Sequence, residues 1–299
     1  MAHLQPPCRA AAVLTNEERI HWLRQERWIQ YPRAERILER LLDLVDYPPR
    51  DRMPCLVVYG ATGMGKTRVI QKFLRDNRSH FDRKLGKTRV PVVCIQMPPA
   101  PSERDLYEEI LNGMSGIFAQ STSVTTLRHR IRGLARQLEV RMLVIDEIHS
   151  LLAGTFREQR IILNAIRFLA NDLRIPLVCV GTNDAKQALM TDQQLADRFE
   201  AAELPPWEND SAFQQLLLSF ESMLPLKRPS EFRDPKVHQR ILSLTEGVLV
   251  RICRLIETAA GEAIKNGQEQ ITLALLKDDL VTESLISIAD RRNRRVSTR

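Results

Sequence analysis

The middle of the chain alternates between short, wholly apolar runs and longer amphipathic stretches. The runs are rich in β-branched residues and lack polar alternation, which is typical of parallel strands buried on both faces. The stretches between them are long enough for helices that cross from one strand to the next. The pattern therefore predicts an α/β fold with a doubly wound parallel sheet. The predicted strands are residues 55–59, 90–95, 142–145 and 177–180, with an edge strand at 200–204.

Helical patterns replace this alternation on both sides of the middle part. Residues 15–45 have a helical pattern that Pro32 interrupts. After about residue 209 the strand pattern is absent and four helices are predicted, at 209–225, 234–244, 248–266 and 272–289. We therefore predict a flexible N-terminal arm (1–14), an α/β core with an N-terminal helical segment (15–208), a small helical domain (209–290) and a basic C-terminal tail (291–299).

Composition narrows the class of protein. The chain has 299 residues, of which 43% are hydrophobic and 27% charged, as in a globular protein with a substantial core. Its apolar runs are far shorter than the roughly 20 residues of a membrane-spanning helix, so we expect no membrane partner. The five cysteines form no C-x-x-C pair, which favours reduced thiols over a disulfide framework or a cysteine zinc site. We therefore expect a cytoplasmic protein.

The net charge is +7, which raises the question of nucleic-acid binding. Most of this excess lies in the last nine residues, which contain five arginines and no acidic residue. Residues 1–290 therefore carry a net charge of only +2. Charge alone does not identify a nucleic-acid binder.

A phosphate-binding loop gives the strongest local motif. Residues 60–67 have the pattern G-x-x-x-x-G-K-S/T, after a predicted strand and before a predicted helix. In such a loop the backbone N–H groups surround a phosphate, Lys66 reaches the β- and γ-phosphates, and the Thr67 hydroxyl binds Mg²⁺. We therefore predict a site for ATP and Mg²⁺ formed by Gly60, Ala61, Thr62, Gly63, Met64, Gly65, Lys66, Thr67 and Arg68.

A second acidic motif follows strand 142–145. Asp146 is predicted to hold Mg²⁺ through water, and Glu147 is predicted to be the general base for the attacking water. The alternative for Glu147 is a carboxylate that only caps the next helix. His149 follows closely, and because helicase motifs are missing downstream we interpret it as structural or modulatory.

Polar residues also follow strand 177–180. Asn183 is predicted to contact the γ-phosphate or the attacking water, and Thr182 is a second candidate for this role. The alternative is a turn that caps the following helix.

Arginines complete the predicted ATP site. Arg198 precedes the predicted edge strand and is expected to reach across a subunit interface to a neighbour's γ-phosphate, the alternative being a surface pair with Asp197. In the helical domain, Arg251 is predicted to reach back to the nucleotide, with Arg254 as a second candidate and a solvated helix surface as the alternative for both.

With these motifs in order, the chain resembles the AAA+ ATPases over roughly residues 15–290. Within that superfamily it is similar to the TniB branch of transposition ATPases, which is related to TnsC, MuB and IstB. The TniB resemblance is carried by Trp28–Glu35, Asp51–Pro54, Gly63–Thr67 and above all by His149–Arg160 and Leu163–Pro176. It implies an AAA+ P-loop domain followed by a small helical lid.

The TniB resemblance also implies a function. Such proteins are ATP-dependent regulators that oligomerise on double-stranded DNA as a ring or helical filament, with ATP between adjacent protomers. By analogy Arg198 would complete the neighbour's site, and hydrolysis would disassemble the oligomer. The partners would be a TniA-like DDE transposase and a TniQ-like target selector, in a bacterial cell and associated with the nucleoid. Tyr31 and Pro32 would lie near the adenine, although an aromatic cluster of this kind is more often part of a core.

Two further matters stay open at this point. For DNA contact we expect Arg104, Arg128 and Arg130, the alternative being a solvated helix surface, while the tail 291–299 is a candidate for contacting phosphates or the transposase. The competing functions are an ATP-bound scaffold with negligible hydrolysis and a helicase loader of the DnaC/IstB kind.

Overall fold

A computed structural model describes residues 1–84 and 86–277 and divides the chain into two compact units. The first unit comprises Met1–Glu35 and the described part of Pro206–Arg299, and the second comprises Arg36–Pro205. The predicted tail 291–299 and most of the predicted helix 272–289 lie outside the described residues.

The secondary structure follows the predicted alternation closely. The strands are β1 (Cys55–Tyr59), β2 (His80–Asp82), β3 (Lys87–Arg89), β4 (Val92–Gln96), β5 (Met142–Asp146), β6 (Leu177–Gly181) and β7 (Phe199–Glu203). The helices are α1 (Pro6–Ala11), α2 (Asn16–Leu23), α3 (Pro32–Val45), α4 (Lys66–Asp76), α5 (Glu103–Gly113), α6 (Val124–Gln137), α7 (Phe156–Leu173), α8 (Asn183–Met190), α9 (Gln193–Ala196), α10 (Ser211–Met223), α11 (Pro235–Thr245) and α12 (Leu249–Lys265), with 3₁₀ helices at Ile148–Ala153 and Leu273–Leu275. Within the described part of the chain, the helices are too short or too polar to cross a membrane.

The second unit is built on a parallel sheet with the strand order β4-β5-β6-β1-β7. All residues of β1, β5 and β6 are buried, because these central strands have helices on both faces. The sequence therefore predicted the α/β class correctly. It did not predict the antiparallel hairpin of β2 and β3, whose strands are three residues long and mostly polar.

The order of strands brings the carboxyl ends of three strands together. Strand β6 lies between β5 and β1, and all three are parallel, so their carboxyl ends share one edge of the sheet. Ligands of open parallel sheets bind outside this edge. The segments after β1, β5 and β6, which carry the predicted ATP motifs, therefore lie side by side.

The N-terminal region differs from the predicted flexible arm. Residues 6–11 form α1, which begins with a proline at a position where a missing N–H costs nothing. Leu4, Cys8 and Ala12 are buried against Trp22 and Met223. Residues 1–35 thus belong to the compact unit that contains the C-terminal helices, whereas the predicted core of residues 15–208 had included residues 15–35. A helical pattern shows which face is apolar but not which helices cover it.

A buried arginine joins the first and last parts of this unit. Arg19 in α2 is completely buried and donates from Nη1 to Glu269 Oε1 over 2.8 Å. Its Nε and Nη2 atoms donate to the carbonyl oxygen of Pro225 over 3.1 and 2.6 Å. A buried guanidinium is stable only when its donors are satisfied in this way.

Replacing Arg19 with methionine should lower the free energy of unfolding by about 3–5 kcal/mol, because Glu269 would lose its buried partner. Urea denaturation measures this loss. Lys227 provides a matched control, since its ammonium lies 3.3 Å from the same carboxylate and its side chain is half exposed. Lys227→Met should cost only about 0–1 kcal/mol. Equal losses for the two variants would contradict the assigned role of Arg19.

Acid should remove the contribution of this ion pair. Burial raises the pKa of Glu269, but hydrogen bonds and the charge of Arg19 outweigh burial and leave the pKa below its usual value. A carboxylate whose folded-state pKa is lowered stabilises the fold above its unfolded pKa, and this stabilisation is lost as the pH falls through the folded value. The difference between wild type and Arg19→Met should therefore shrink at acid pH.

Candidate nucleotide-binding site

The segment between β1 and α4 forms the predicted phosphate-binding loop. Gly65 precedes α4 with a φ of +87°, a left-handed conformation that glycine adopts without strain. The turn directs the chain from the buried strand into the helix, so that the N-terminus of α4 begins at Lys66. Partial positive charge at this helix end attracts anions such as phosphate.

Lys66, the first residue of α4, is mostly buried. Its Nζ donates to the carbonyl oxygens of Gly60 over 2.8 Å and of Ala61 over 2.9 Å. Burial lowers the pKa of Lys66, while the negative charges of Glu147 and Asp146 act in the opposite direction. The ammonium is thus held by neutral carbonyl groups in a site whose nearby charges are acidic.

Thr67 and Asp146 connect the loop to the end of β5. The Thr67 hydroxyl donates to Asp146 Oδ2 over 2.9 Å, and the backbone N–H of Glu147 donates to Asp146 Oδ1 over 2.8 Å. A hydroxyl and a carboxylate are the protein groups that commonly hold Mg²⁺ beside a bound nucleotide. Thr67 and Asp146 are distant in sequence, and their contact brings together the two residues predicted to hold Mg²⁺.

Glu147 follows Asp146 with a φ of +55°, a left-handed conformation that is uncommon for a residue with a side chain. His149 Nε2 lies 3.3 Å from Glu147 Oε2. His149 Nδ1 is buried and has no hydrogen-bond partner among the described residues. Backbone strain of this kind concentrates at functional sites.

The contact between His149 and Glu147 is compatible with both a structural and a modulatory role for His149, and the choice stays a prediction. Gly181, at the end of β6, allows His149 and Ala185 to pack closely against the backbone. A Cβ at this position would lie 2.8 Å from the Ala185 side chain and 3.3 Å from His149 Nδ1. The sequence contained a signal for this contact, since the two residues flank Ile148 in one short turn. The direction of the turn was not predictable.

The predicted γ-phosphate contact lies at the end of β6. Thr182 precedes α8, and its Oγ1 atom is buried without a hydrogen-bond partner among the described residues. Asn183 is the first residue of α8 and is exposed. Both residues lie at the sheet edge that carries Asp146, and the choice between them stays a prediction.

Arg198 lies beside the amino-terminal ends of β1 and β7, at the end of the strands away from the phosphate-binding loop. Its carbonyl oxygen accepts from the N–H of Cys55, the first residue of β1, and Phe199 pairs with Cys55. The five residues of β1 rise about 3.3 Å each, so about 16 Å separate this edge from the phosphate-binding loop. An arginine side chain does not span that distance. Arg198 therefore cannot contact a nucleotide bound to its own loop.

The remaining predicted nucleotide contacts belong to the first unit. Tyr31 is buried between Trp28 and Trp207, with ring centroids 6.3 and 5.4 Å away, and burial raises its pKa. Pro32 is the first residue of α3. The packing of Tyr31 favours the core role that the sequence left open.

The two candidate arginines of α12 differ in their surroundings. Arg251 Nη1 donates to Glu246 over 2.6 Å, whereas Arg254 is exposed. Which of them contacts a nucleotide stays a prediction.

The arginines expected to contact DNA bind partners within the chain. Arg104 Nη1 donates to the Thr122 carbonyl oxygen over 2.6 Å, and Arg130 Nη1 donates to that of Ile117 over 2.5 Å. Arg128 Nη2 lies 2.5 Å from the carboxylate of Glu103. These contacts tie α5, α6 and their connecting loop together. They favour a structural role for these three residues over DNA binding.

A family model described as "Bacterial TniB protein" matches residues 19–209, which is more than half of the chain. Among curated proteins, none matches the sequence.

Several solved structures share the fold. The ORC2 protein of Aeropyrum pernix, in ADPNP-ADP complexes, has a TM-score of 0.60 and 15% identity, over 91% of this chain and 73% of that one. Cdc6p from Pyrobaculum aerophilum has a TM-score of 0.62 and 19% identity, over 91% and 73%. The ORC1 protein of Aeropyrum pernix, in complex with DNA, has a TM-score of 0.52 and 17% identity, over 85% and 67%. At these identities the likeness shows the fold alone, which is that of the AAA+ ATPases.

Proposed function

The chain belongs to the TniB family, and on that premise we propose that it is an ATP-dependent regulator of DNA transposition. It binds ATP with Mg²⁺, assembles on double-stranded DNA, and recruits and activates a DDE-type transposase together with a TniQ-like target selector. ATP hydrolysis then disassembles the oligomer. The observation that carries this proposal is the hydrogen bond from Thr67 to Asp146, since it joins the phosphate-binding loop to the acidic strand end in one site.

The chemistry follows from the positions of the side chains. The phosphates of ATP would replace the two loop carbonyls as partners of Lys66, and Thr67 with Asp146 would hold Mg²⁺, which offsets phosphate charge when bound. Glu147 would accept a proton from a water molecule. The oxygen of that water bonds to the γ-phosphorus while the bond from this phosphorus to the ADP oxygen breaks, which yields ADP and inorganic phosphate. Because His149 lies beside Glu147, its side chain would control when the carboxylate is free.

The position of Arg198 supports an oligomer with ATP between its subunits. This arginine lies at the edge of the sheet away from the phosphate-binding loop of its own chain. A head-to-tail interface, in which unlike surfaces of two copies meet, would bring Arg198 to the neighbour's ATP. Such interfaces form rings or helical filaments, which suits assembly around or along DNA.

Lys66→Met should weaken ATP binding by about 100-fold, because the variant loses a charge-assisted contact with the phosphates. Titration with a fluorescent ATP analogue measures the affinity. Lys72→Met is the matched control, since Lys72 lies in the same helix, is partly exposed and pairs with Asp76. The control should bind ATP like the wild type. A nucleotide affinity that is unchanged in Lys66→Met would refute the ATP site.

The same variants test the role in DNA binding. Electron microscopy of the wild type with duplex DNA and a non-hydrolysable ATP analogue should show large oligomers, and Lys66→Met should form none. Raising the salt concentration should weaken the assembly, because contacts with backbone phosphates release counterions. A wild-type chain that binds ATP yet remains monomeric with DNA at low salt would contradict the proposed function.

A further inference from the structure

A cavity of about 440 Å³ lies at the amino-terminal ends of β1 and β7, within the second unit. Its walls come from the loop before β1 and from the turn between α9 and β7. Three of its residues are cationic, namely Arg50, Arg52 and Arg198, and two are acidic, namely Asp197 and Glu200. The volume is within the range of small-molecule sites. The cavity therefore has the size and the charge to receive an anion.

The acidic groups of the cavity already have partners. Glu200 accepts two hydrogen bonds from Arg40, over 2.9 Å from Nε and 2.6 Å from Nη2. Asp197 Oδ1 accepts from the side-chain amide of Gln193 over 2.9 Å. Because of these hydrogen bonds, neither carboxylate fully offsets the positive charge of the arginines in the cavity.

Arg50 stabilises the loop that carries Arg52. Its Nε donates to the Arg52 carbonyl oxygen over 2.8 Å, and its guanidinium lies 4.8 Å from the ring centroid of Tyr47. These contacts fix the backbone that carries Arg52. A side chain on a fixed backbone loses less entropy when it binds a ligand.

Arg52 and Arg198 differ from Arg50, whose Nε already donates to a backbone carbonyl oxygen. Across residues 1–84 and 86–277, neither forms an ion pair with a carboxylate. Arg198 Nη1 is also buried without any hydrogen-bond acceptor in that part of the chain. Leaving a buried charged donor unpaired costs free energy, so the Arg198 guanidinium gains from a rearrangement that brings it to an acceptor.

The chain's own nucleotide is not that acceptor, because the cavity opens at the edge of the sheet away from the phosphate-binding loop. We propose that Arg52, which lines the same cavity as Arg198, is a second arginine that contacts the triphosphate end of the nucleotide bound by a second copy of this chain. Two guanidinium groups offer several fixed donors to the oxygens of a terminal phosphate. The inference deepens the proposed function and rests on it, since it requires ATP on a neighbouring copy.

Arg52→Ala should therefore lower DNA-stimulated ATP hydrolysis by about 10- to 100-fold, the value of a hydrogen bond to a charged group. Arg52 is exposed, so its loss should leave the fold intact. The control is Arg141→Ala, which removes an exposed arginine of the same unit that pairs with Asp46 outside the cavity. The control should hydrolyse ATP like the wild type.

Mixing two variants shows in which copy Arg52 acts. Arg52→Ala subunits keep their own catalytic groups, and Glu147→Gln subunits keep Arg52. In an equal mixture about one head-to-tail interface in four pairs an intact catalytic site with an intact arginine site. Hydrolysis should therefore recover to about a quarter of the wild-type rate, although each variant alone is slow.

Other outcomes overturn the inference in distinguishable ways. Lack of recovery in the mixture would place the action of Arg52 within its own subunit. If Lys66→Met still bound nucleotide, and this binding required Arg52, the cavity would be a site for free nucleotide. If Arg52→Ala hydrolysed ATP normally without DNA but bound DNA more weakly, the cavity would instead bind the backbone phosphates of DNA. A wild-type chain that neither assembles nor hydrolyses ATP would instead refute the proposed function itself, before any variant is mixed.

Discussion

Replacing Arg198 with alanine is expected to reduce ATP hydrolysis by about 10³- to 10⁵-fold, the range that arginine fingers contribute to phosphoryl transfer. The physical reason is charge, because negative charge on the transferred phosphoryl group must be stabilised as the bond to ADP breaks. The position of Arg198 beside the start of β1 makes this contribution available only to a neighbouring copy. Single-turnover hydrolysis of radiolabelled ATP by the assembled protein measures the loss.

Binding of ATP to the single chain should not change in Arg198→Ala, because that nucleotide lies at the other edge of the sheet. This separates a missing finger from a misfolded protein. Arg174→Ala is a suitable control, since Arg174 is exposed and forms its ion pair with Asp51 rather than lining the cavity. If Arg198→Ala hydrolysed ATP at the wild-type rate, the assignment of Arg198 would be wrong, and the buried unpaired Nη1 atom would need another partner.

The sequence predicted the elements that carry the chemistry because they are locally encoded. Each central strand is a short apolar run, and the loop from Gly60 to Thr67 has a pattern in which almost every residue has a role. The carboxylates of Asp146 and Glu147 come directly after such a run. Fold class and the list of ATP-site candidates therefore followed from residues that are neighbours in the chain.

Strand order was not predictable in the same way, and the cavity was missed for that reason. Arg52 precedes β1 and Arg198 precedes β7, and nothing local to either residue shows that β1 and β7 are adjacent. Once the order is known, parallel strands must place both arginines at one edge of the sheet. The sequence therefore predicted Arg198 as an isolated finger and did not single out Arg52.

The N-terminal region shows the same limit for helices. The capping box of Thr15 and Glu18 marks the start of α2, and the structure contains it. Nothing in this pattern shows that Arg19 binds Glu269, some 250 residues away. Burial of a charged residue depends on a partner distant in sequence, which a single amphipathic pattern does not reveal. The prediction of a loose arm failed because the apolar residues of α1 are too few to form a clear period.

The second large effect concerns the general base. Glu147→Gln should reduce ATP hydrolysis by about 10²- to 10⁴-fold while ATP binding persists, because glutamine keeps the size of the side chain but cannot accept a proton from water. In the structure Glu147 follows Asp146 and does not take part in the bond between Thr67 and Asp146. The variant should therefore retain the groups proposed to hold Mg²⁺. Rates of phosphate release and equilibrium binding of ATP, measured on the same preparation, separate the two properties.

His149→Ala provides the comparison that tests how Glu147 is controlled. It removes the ring that lies 3.3 Å from the Glu147 carboxylate and leaves the carboxylate in place. If the ring holds Glu147 away from water, His149→Ala should raise the basal hydrolysis rate and reduce its stimulation by DNA. If the ring only packs against Gly181, both rates should fall or rise together.

Glu147→Gln also distinguishes a switch from a scaffold. In a switch, hydrolysis releases the assembled protein, so the variant should form complexes with DNA that persist in ATP, while the wild type dissociates as ATP is consumed. The lifetime of these complexes, followed by single-molecule fluorescence after free protein is washed away, should increase roughly in proportion to the loss in hydrolysis rate. A scaffold whose hydrolysis has no function would give equal lifetimes for variant and wild type. Equal lifetimes, with hydrolysis abolished, would overturn the proposal that ATP turnover ends the assembly and would leave ATP binding as the step that matters.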